Sequence, residues 1–208
     1  MAQYFAIHPT HPQPRLVKRA AEIVRRGGLI AYPTDSCYAL GCHLGDAKAL
    51  ERLRALRGFG EKHHLTLMCR DLSEISTYTL VDDASFRFLK LPGSYTFILK
   101  ARRPVPRRLM HPRRRTIGVR VPGHPVAHAL LAELDEPILS ATLSLPGEPA
   151  PLADAAEIRA RLEHRLDLVI DGGPCGVQPS TVIDLTADEP VVVRQGKGSL
   201  APFLVEPV

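Results

Sequence analysis

Leu29-Ile30-Ala31-Tyr32-Pro33-Thr34-Asp35-Ser36-Cys37-Tyr38-Ala39-Leu40-Gly41 joins a short apolar run to a proline and three polar side chains. Leu29 to Tyr32 has the length and composition of a buried strand, and Pro33 ends it by removing a ladder donor. Open α/β sheets bind ligands in crevices beyond their strand ends, so Thr34, Asp35 and Ser36 are candidate site residues. An ordinary turn, with Pro33 fixing the backbone and Thr34 and Asp35 capping the next segment, fits the same letters.

Outward from this stretch, strand and helix signals alternate. Tyr4 to Ile7 reads as a strand, and Pro14 opens a helix in which Leu16, Val17, Ala20, Ile23 and Val24 recur at helical spacing before Gly27-Gly28 ends it. Asp46 is placed to cap a helix running to about Arg57. Leu65 to Cys69, Tyr95 to Leu99 and Ile117 to Val121 read as strands, with helices around Asp82 to Leu89 and His124 to Leu134. Asp154 with Glu157 three residues on has the form of a reciprocal helix start. Leu168 to Ile170, Thr181 to Leu185 and Val191 to Val193 complete the strands, and Pro146 to Pro151 reads as a mobile surface loop. The pattern predicts an α/β layered domain with a mixed sheet.

The chain has 208 residues, 45% hydrophobic and 24% charged, which fits a single globular domain over 1–208 and argues against a disordered or fibrous class. No run approaches the roughly 20 apolar residues of a membrane span, and Met1-Ala2-Gln3-Tyr4 lacks a secretory pattern. A cytoplasmic protein without a membrane partner is expected. Cys37, Cys42, Cys69 and Cys175 lack the spacing of a disulfide scaffold or zinc site, and although His43 follows Cys42, buried reduced thiols are the preferred reading. The other histidines sit in polar or proline-rich company and read as surface residues.

Charge is distributed unevenly. Between Asp83 and Glu133 there are no acids and 11 Lys and Arg, so the rest of the chain is net negative. Arg102, Arg103, Arg107, Arg108, Arg113, Arg114 and Arg115 crowd a proline-punctuated stretch, which is either an electrostatic footprint for phosphate or a solvated loop that aids solubility.

Further candidates lie at other strand ends. Gly118-Val119-Arg120-Val121-Pro122 sets an arginine in an apolar strand just after Thr116, where it must pair with a protein carboxylate or grip a phosphate. Leu139-Ser140-Ala141-Thr142 ends an apolar run in hydroxyls. Ser180-Thr181 comes after the glycine-rich Asp171-Gly172-Gly173-Pro174-Cys175-Gly176, whose backbone could approach a ligand closely. Arg194-Gln195-Gly196-Lys197-Gly198 could cradle phosphate but lacks the P-loop order. No Ser-His-Asp order, no H-E-x-x-H and no pair of acids in an apolar setting can be picked out.

In order, Tyr32-Pro33-Thr34-Asp35-Ser36 with Tyr38-Ala39-Leu40-Gly41, then Pro92-Gly93-Ser94-Tyr95-Thr96, Arg120-Val121-Pro122, Ser140-Ala141, Ser180-Thr181-Val182-Ile183-Asp184-Leu185 and Arg194-Gln195-Gly196 resemble the YrdC-like family of threonylcarbamoyl-adenylate synthases. The likeness runs from Leu16 to Gly198. Thr66-Leu67-Met68-Cys69-Arg70-Asp71-Leu72-Ser73 and the overall length look closest to its YciO branch.

The resemblance implies an α/β fold with a twisted mixed sheet, flanking helices and an open, basic concave surface. Members use that surface for nucleotide and have been proposed to use it for double-stranded RNA. In the synthase reaction threonine and bicarbonate form a carbamate that attacks the α-phosphate of ATP, releasing pyrophosphate, and the product serves tRNA modification. By motif match Thr34 would contact L-threonine. Arg57, Thr116, Arg120, Ser140, Thr142, Ser180 and Arg194 would surround ATP, with magnesium accompanying it. Such chemistry needs positioning and charge stabilisation rather than a protein nucleophile. Two positions depart from the synthase pattern. Its Lys-x-Arg reads Ala55-Leu56-Arg57, with Lys62 a candidate replacement for the lysine, and its Ser-x-Asn reads Ser140-Ala141-Thr142. Losing one charge-assisted contact to a developing anion costs about 10²–10³ in rate. The expected function is therefore ATP or adenylate binding, with double-stranded RNA or tRNA as a further partner. The alternative is a non-catalytic RNA or ribosome binding module, with the arginines from Arg102 to Arg115 as its contacts.

Overall fold

A computed structural model of the protein describes residues 1–58, 65–91 and 93–203. The chain runs through β1 (Gln3–Ala6), α1 (Pro14–Arg25), β2 (Ile30–Tyr32), β3 (Ala39–His43), α2 (Ala47–Arg57), β4 (Thr66–Met68), α3 (Leu72–Tyr78) and α4 (Asp83–Leu89). It continues through β5 (Tyr95–Lys100), β6 (Thr116–Arg120), α5 (Pro125–Leu134), β7 (Ile138–Thr142), α6 (Ala155–Leu162), β8 (Leu168–Asp171), β9 (Thr181–Asp184) and β10 (Val191–Arg194).

Side-chain caps set most of the helix starts. Asp46, Asp71, Asp82 and Asp154 each accept the backbone N–H three residues on, at 2.8–2.9 Å, which satisfies a donor that the first turn leaves orphaned. Glu157 does not bind back to its cap as its position suggested; its carboxylate pairs with Arg161 at 3.2 Å. Helix α3 was not foreseen, because Leu-Ser-Glu-Ile-Ser-Thr-Tyr is rich in serine and threonine, which are weak helix formers. Strand β3 also escaped, since Ala-Leu-Gly-Cys-His carries no β-branched or aromatic residue.

The strands form one mixed sheet in the order β1-β8-β2-β3-β7-β4-β6-β5-β9-β10. Pairs β1/β8, β2/β8, β4/β6 and β5/β9 are parallel and the others antiparallel. The connection 171–181 carries the chain from the second to the ninth position of this order.

Strand alternation divides the side chains between two faces. One face presents Leu67, Phe97, Val119, Leu139, Val169 and Ile183 to a core closed by Leu50 and Leu53 of α2 and Ile158 and Leu162 of α6. The other presents Phe5, Ile30, Tyr32, Leu168 and Ile170 to a second core, closed by α1 through Val17, Ala20 and Val24 and by α5 through Val126, Leu130 and Leu131. This second helical layer ends at Met68 and Ile138. Beyond it the same face continues with Thr66, Ser140, Thr142, Gly118, Arg120, Thr96 and Val182, residues that line an open cavity instead of meeting a helix. The change from apolar to hydroxyl and arginine side chains along one face is thus the sequence feature that leaves half of that face uncovered. Among the described residues no helix is long and apolar enough to cross a membrane.

Candidate functional site

The cavity holds about 420 Å³. Of the predicted residues, Thr34, Arg57, Arg120, Ser140, Thr142, Ser180 and Arg194 all line it, drawn from segments spread along the whole chain. Thr116 does not. It is buried on the Gly118 and Arg120 side of β6 but outside the lining, and its hydroxyl has no hydrogen-bond partner. Lys62 lies outside the described residues.

Most of the lining hydroxyls are already committed to the protein. Thr34 Oγ1 donates to the Cys37 carbonyl at 2.6 Å and accepts the N–H groups of Ser36 and Cys37 at 3.2 Å. It therefore closes the turn of residues 34–37, as the turn reading of this segment required, while the turn also forms a wall of the cavity. Ser140 accepts the Tyr32 hydroxyl at 2.8 Å and donates to the Leu40 carbonyl at 3.1 Å. Ser180 and Thr96 share a hydrogen bond of 2.8 Å.

Three arginines supply the positive charge. Arg120 is buried (6% exposed), lies 2.8 Å from Asp35 through Nη2 and donates to Ser36 Oγ at 2.9 Å through Nη1. Of the two partners weighed for it, the structure supplies the carboxylate. Burial alone would raise the Asp35 pKa, but the Arg120 charge, the Ser94 hydroxyl and the Gly123 N–H together hold it below the usual carboxylate value. Arg194 reaches back to donate to the Ser180 carbonyl at 2.8 Å. Burial, then the charge of Arg194, lowers the Arg57 pKa to about 10. Arg194 is exposed overall, and its partial desolvation lowers its pKa, against Cys37 and with Arg120 as further influences. An anion entering here would meet cations that repel one another and are partly stripped of water. Sequence reading had not paired Asp35 with Arg120, and it passed over Thr66 as a site residue; its place beside an apolar neighbour in an alternating strand was the available signal.

The glycines near the site serve backbone approach within the protein. A Cβ on Gly176 would stand 2.9 Å from the Ser36 carbonyl oxygen, and one on Gly196 would stand 2.2 Å from that of Pro179. The glycine-rich turn thus lets 171–181 lie against the 34–37 turn. Cys37, at the cavity wall, has its thiol pushed up to about 11, chiefly by burial, which suits the expected reduced core thiols and removes it as a ready nucleophile.

None of Arg102, Arg103, Arg107, Arg108, Arg113, Arg114 and Arg115 lines the cavity; all seven are exposed. Their loop is anchored by Val105 and Leu109 in the first core. Arg114 pairs with Asp184 at 3.2 Å and Arg108 donates to the Gly45 carbonyl at 2.6 Å. The basic residues lining the cavity are instead Arg57, Arg120 and Arg194.

The donor set does not fit a protein-held magnesium. No carboxylate lines the cavity among the described residues, and Asp35, in the 34–37 turn behind that wall, has both oxygens engaged by Ser94, Gly123 and Arg120. Magnesium is held through carboxylates together with phosphate and water, so here it could enter only with a phosphate ligand.

Residues 22–196 match the Sua5/YciO/YrdC family profile, described as telomere recombination. The YciO protein of Escherichia coli strain K12 is 56% identical over 206 residues, covering 98% of this chain and 100% of the relative. The crystal structure of E. coli YciO has a TM-score of 0.95 to the present fold. A threonylcarbamoyl-AMP synthase of Halorhodospira halophila is 33% identical over 178 residues, 84% of this chain and 92% of the relative. The crystal structure of P. abyssi Sua5 complexed with L-threonine is 27% identical with a TM-score of 0.83, covering 93% of this chain and 57% of that one. These likenesses agree with the resemblance drawn from the motifs.

Proposed function

The chain belongs to the Sua5/YciO/YrdC family and is related to threonylcarbamoyl-AMP synthases, and from that premise we propose that its cavity binds ATP or an adenylate. The convergence of Arg57, Arg120 and Arg194 on one cavity, with no carboxylate among its described lining residues, is the observation that carries this reading. Guanidinium groups in a partly dry cleft match phosphate oxygens in both charge and donor geometry. L-Threonine, the ligand of the P. abyssi relative, would sit beside the 34–37 turn. Thr34 would act there mainly by shaping the turn, because its hydroxyl is engaged within it.

For the synthase reaction, the threonine amine and bicarbonate give a carbamate and water. A carbamate oxygen then bonds to the α-phosphorus of Mg·ATP as the bond to pyrophosphate breaks. The arginines would hold the charge that moves to the leaving group, so no nucleophile from the chain is needed. Ala55 is an exposed methyl on α2 and supplies no charge, and Thr142 supplies no amide. Nucleotide binding is therefore the primary activity and synthesis of threonylcarbamoyl-AMP a reduced one.

Calorimetric titration with ATP, AMP and L-threonine tests the binding. Saturable heats with ATP or AMP are expected, and none up to millimolar nucleotide would sink it. Threonine- and bicarbonate-dependent pyrophosphate release, run beside an active synthase, tests the reaction.

A second reading, a module for double-stranded RNA or tRNA, is favoured by the seven exposed arginines outside the cavity. Duplex RNA affinity should then fall steeply with salt, and neutralising Arg113, Arg114 and Arg115 should flatten the logarithmic slope by about one for each lost phosphate contact. Salt-independent or absent binding refutes it.

A further inference from the structure

We propose that Asp35 is a positioning residue that aims Arg120 into the cavity, so that ligand affinity depends on Asp35 only through Arg120. This deepens the nucleotide-binding reading and rests on it in one of the two measurements below.

A buried guanidinium must be held by partners or it is costly to keep charged. Ser36 Oγ accepts from Nη1 of Arg120 at 2.9 Å, and Asp35 forms an ion pair with Nη2 at 2.8 Å, while Nε and Nη2 are both buried without a hydrogen-bond partner. The buried guanidinium is therefore held by one hydrogen bond and one ion pair. Asp35 is itself fixed without any help from Arg120. The Ser94 hydroxyl donates to its Oδ2 at 2.5 Å, the Gly123 N–H donates to Oδ1 at 2.9 Å, and Lys197 donates to its backbone carbonyl. These partners come from the residue before β5, the segment after β6 and the segment after β10. The carboxylate is therefore a rigid stop against which the long side chain of Arg120 is set.

The opposing view makes Asp35 an internal competitor that a ligand anion displaces from Arg120. Its separate anchors argue against this, since Ser94 and Gly123 hold the carboxylate in place whatever Arg120 meets.

Asp35→Asn separates the two views. The amide keeps the shape, can still accept from Gly123 and can donate to the Ser94 oxygen, so it removes the charge and little else. In the first measurement, the ¹⁵N Nε–H signal of Arg120 is identified by its loss in Arg120→Lys and followed without ligand. Its exchange with water should be at least about tenfold faster in Asp35→Asn than in the wild type. Ser94→Ala, which removes one anchor, should shift it in the same direction by less, and covers the case in which Asp35→Asn fails to fold. In the second, ATP affinity is measured for Asp35→Asn, Arg120→Lys and the double variant. Each single change should weaken ATP roughly tenfold to a hundredfold, the range of one charge-assisted contact, and the double variant should bind no worse than Arg120→Lys alone. Additive losses would assign Asp35 a general structural role, and tighter ATP binding would make it a competitor; either overturns the proposal. If ATP fails to bind the wild type, the nucleotide reading falls, while unchanged Nε–H exchange in the folded variants refutes the positioning role by itself.

Discussion

Replacing Ser140 with alanine should destabilise the protein even without ligand, because its hydroxyl stands between two buried groups. Tyr32 is fully buried, and its O–H donates to Ser140 Oγ, which donates onward to the Leu40 carbonyl. Alanine leaves the Tyr32 hydroxyl with no acceptor. An orphaned buried hydroxyl costs about 1–3 kcal/mol, and near 200 residues each kcal/mol lowers Tm by about 2–4 °C, so a fall of about 2–12 °C is expected by thermal melting. Tyr32→Phe leaves the Ser140–Leu40 bond intact and should cost less. The decisive variant is the double one. Once the acceptor is gone, removing the Tyr32 hydroxyl relieves an unmet demand, so Ser140→Ala/Tyr32→Phe should melt above Ser140→Ala alone. If Tyr32→Phe lowers Tm as much in the Ser140→Ala background as in the wild type, the two hydroxyls are not coupled and this reading of the site wall is wrong.

Asp35 has a folded pKa below its free value of 3.8, so its charged form contributes stability that is present above about pH 4 and is lost as pH falls through the depressed pKa. The stability gap between wild type and Asp35→Asn, from urea melts, should be constant from about pH 5 to 8 and shrink below about pH 4; a gap that widens in acid contradicts this. Burial lifts the thiols of Cys37 and Cys175 to about 11 and that of Cys42 to about 12. Iodoacetamide at about pH 8 should therefore label the native protein at least about a hundredfold more slowly than a free thiol, with half-buried Cys175 first; rapid labelling of Cys37 by mass spectrometry would contradict it. Ala55→Lys with Thr142→Asn should raise threonine- and bicarbonate-dependent pyrophosphate release by about 10²–10³, the worth of one donor to a developing anion. No increase in a folded variant that binds ATP would place the missing activity elsewhere.

Much of this was legible from the residues because the site is written at strand ends. Arg120 and Ser140 each break an apolar run, and Ser180 stands just before one, so these polar residues face something other than a helix. The motif order then brought Arg57 and Arg194 to the same cavity. What could not be read was which partner each group takes. Arg120 beside Asp35, far apart in the chain, is a product of strand order, and strand order in a mixed sheet is set by packing rather than by local preference. The arginines of 102–115 were legible as a charge cluster, yet not as a loop held away from the cavity. There Val105 and Leu109 decide its course, and two buried apolar residues among seven cations give no periodic signal. Strand β3 and helix α3 were lost because their residues have weak propensity for the structures they adopt.

The connection 171–181 acts on the sheet as a bowstring acts on its bow. A flat sheet would separate the second and ninth strands by seven spacings, about 34 Å, and the end of β8 and the start of β9 lie at opposite ends of their strands, which lengthens the path. Ten residues reach at most about 33–36 Å when fully stretched. This stretch is bent, with Gly173 turned back to Asp171 and Cys175 tied to Ala153. The sheet must therefore curl, and the width of the cleft is set by how short this link is. Adding residues there would slacken the arc and widen the cleft without altering any residue that lines it.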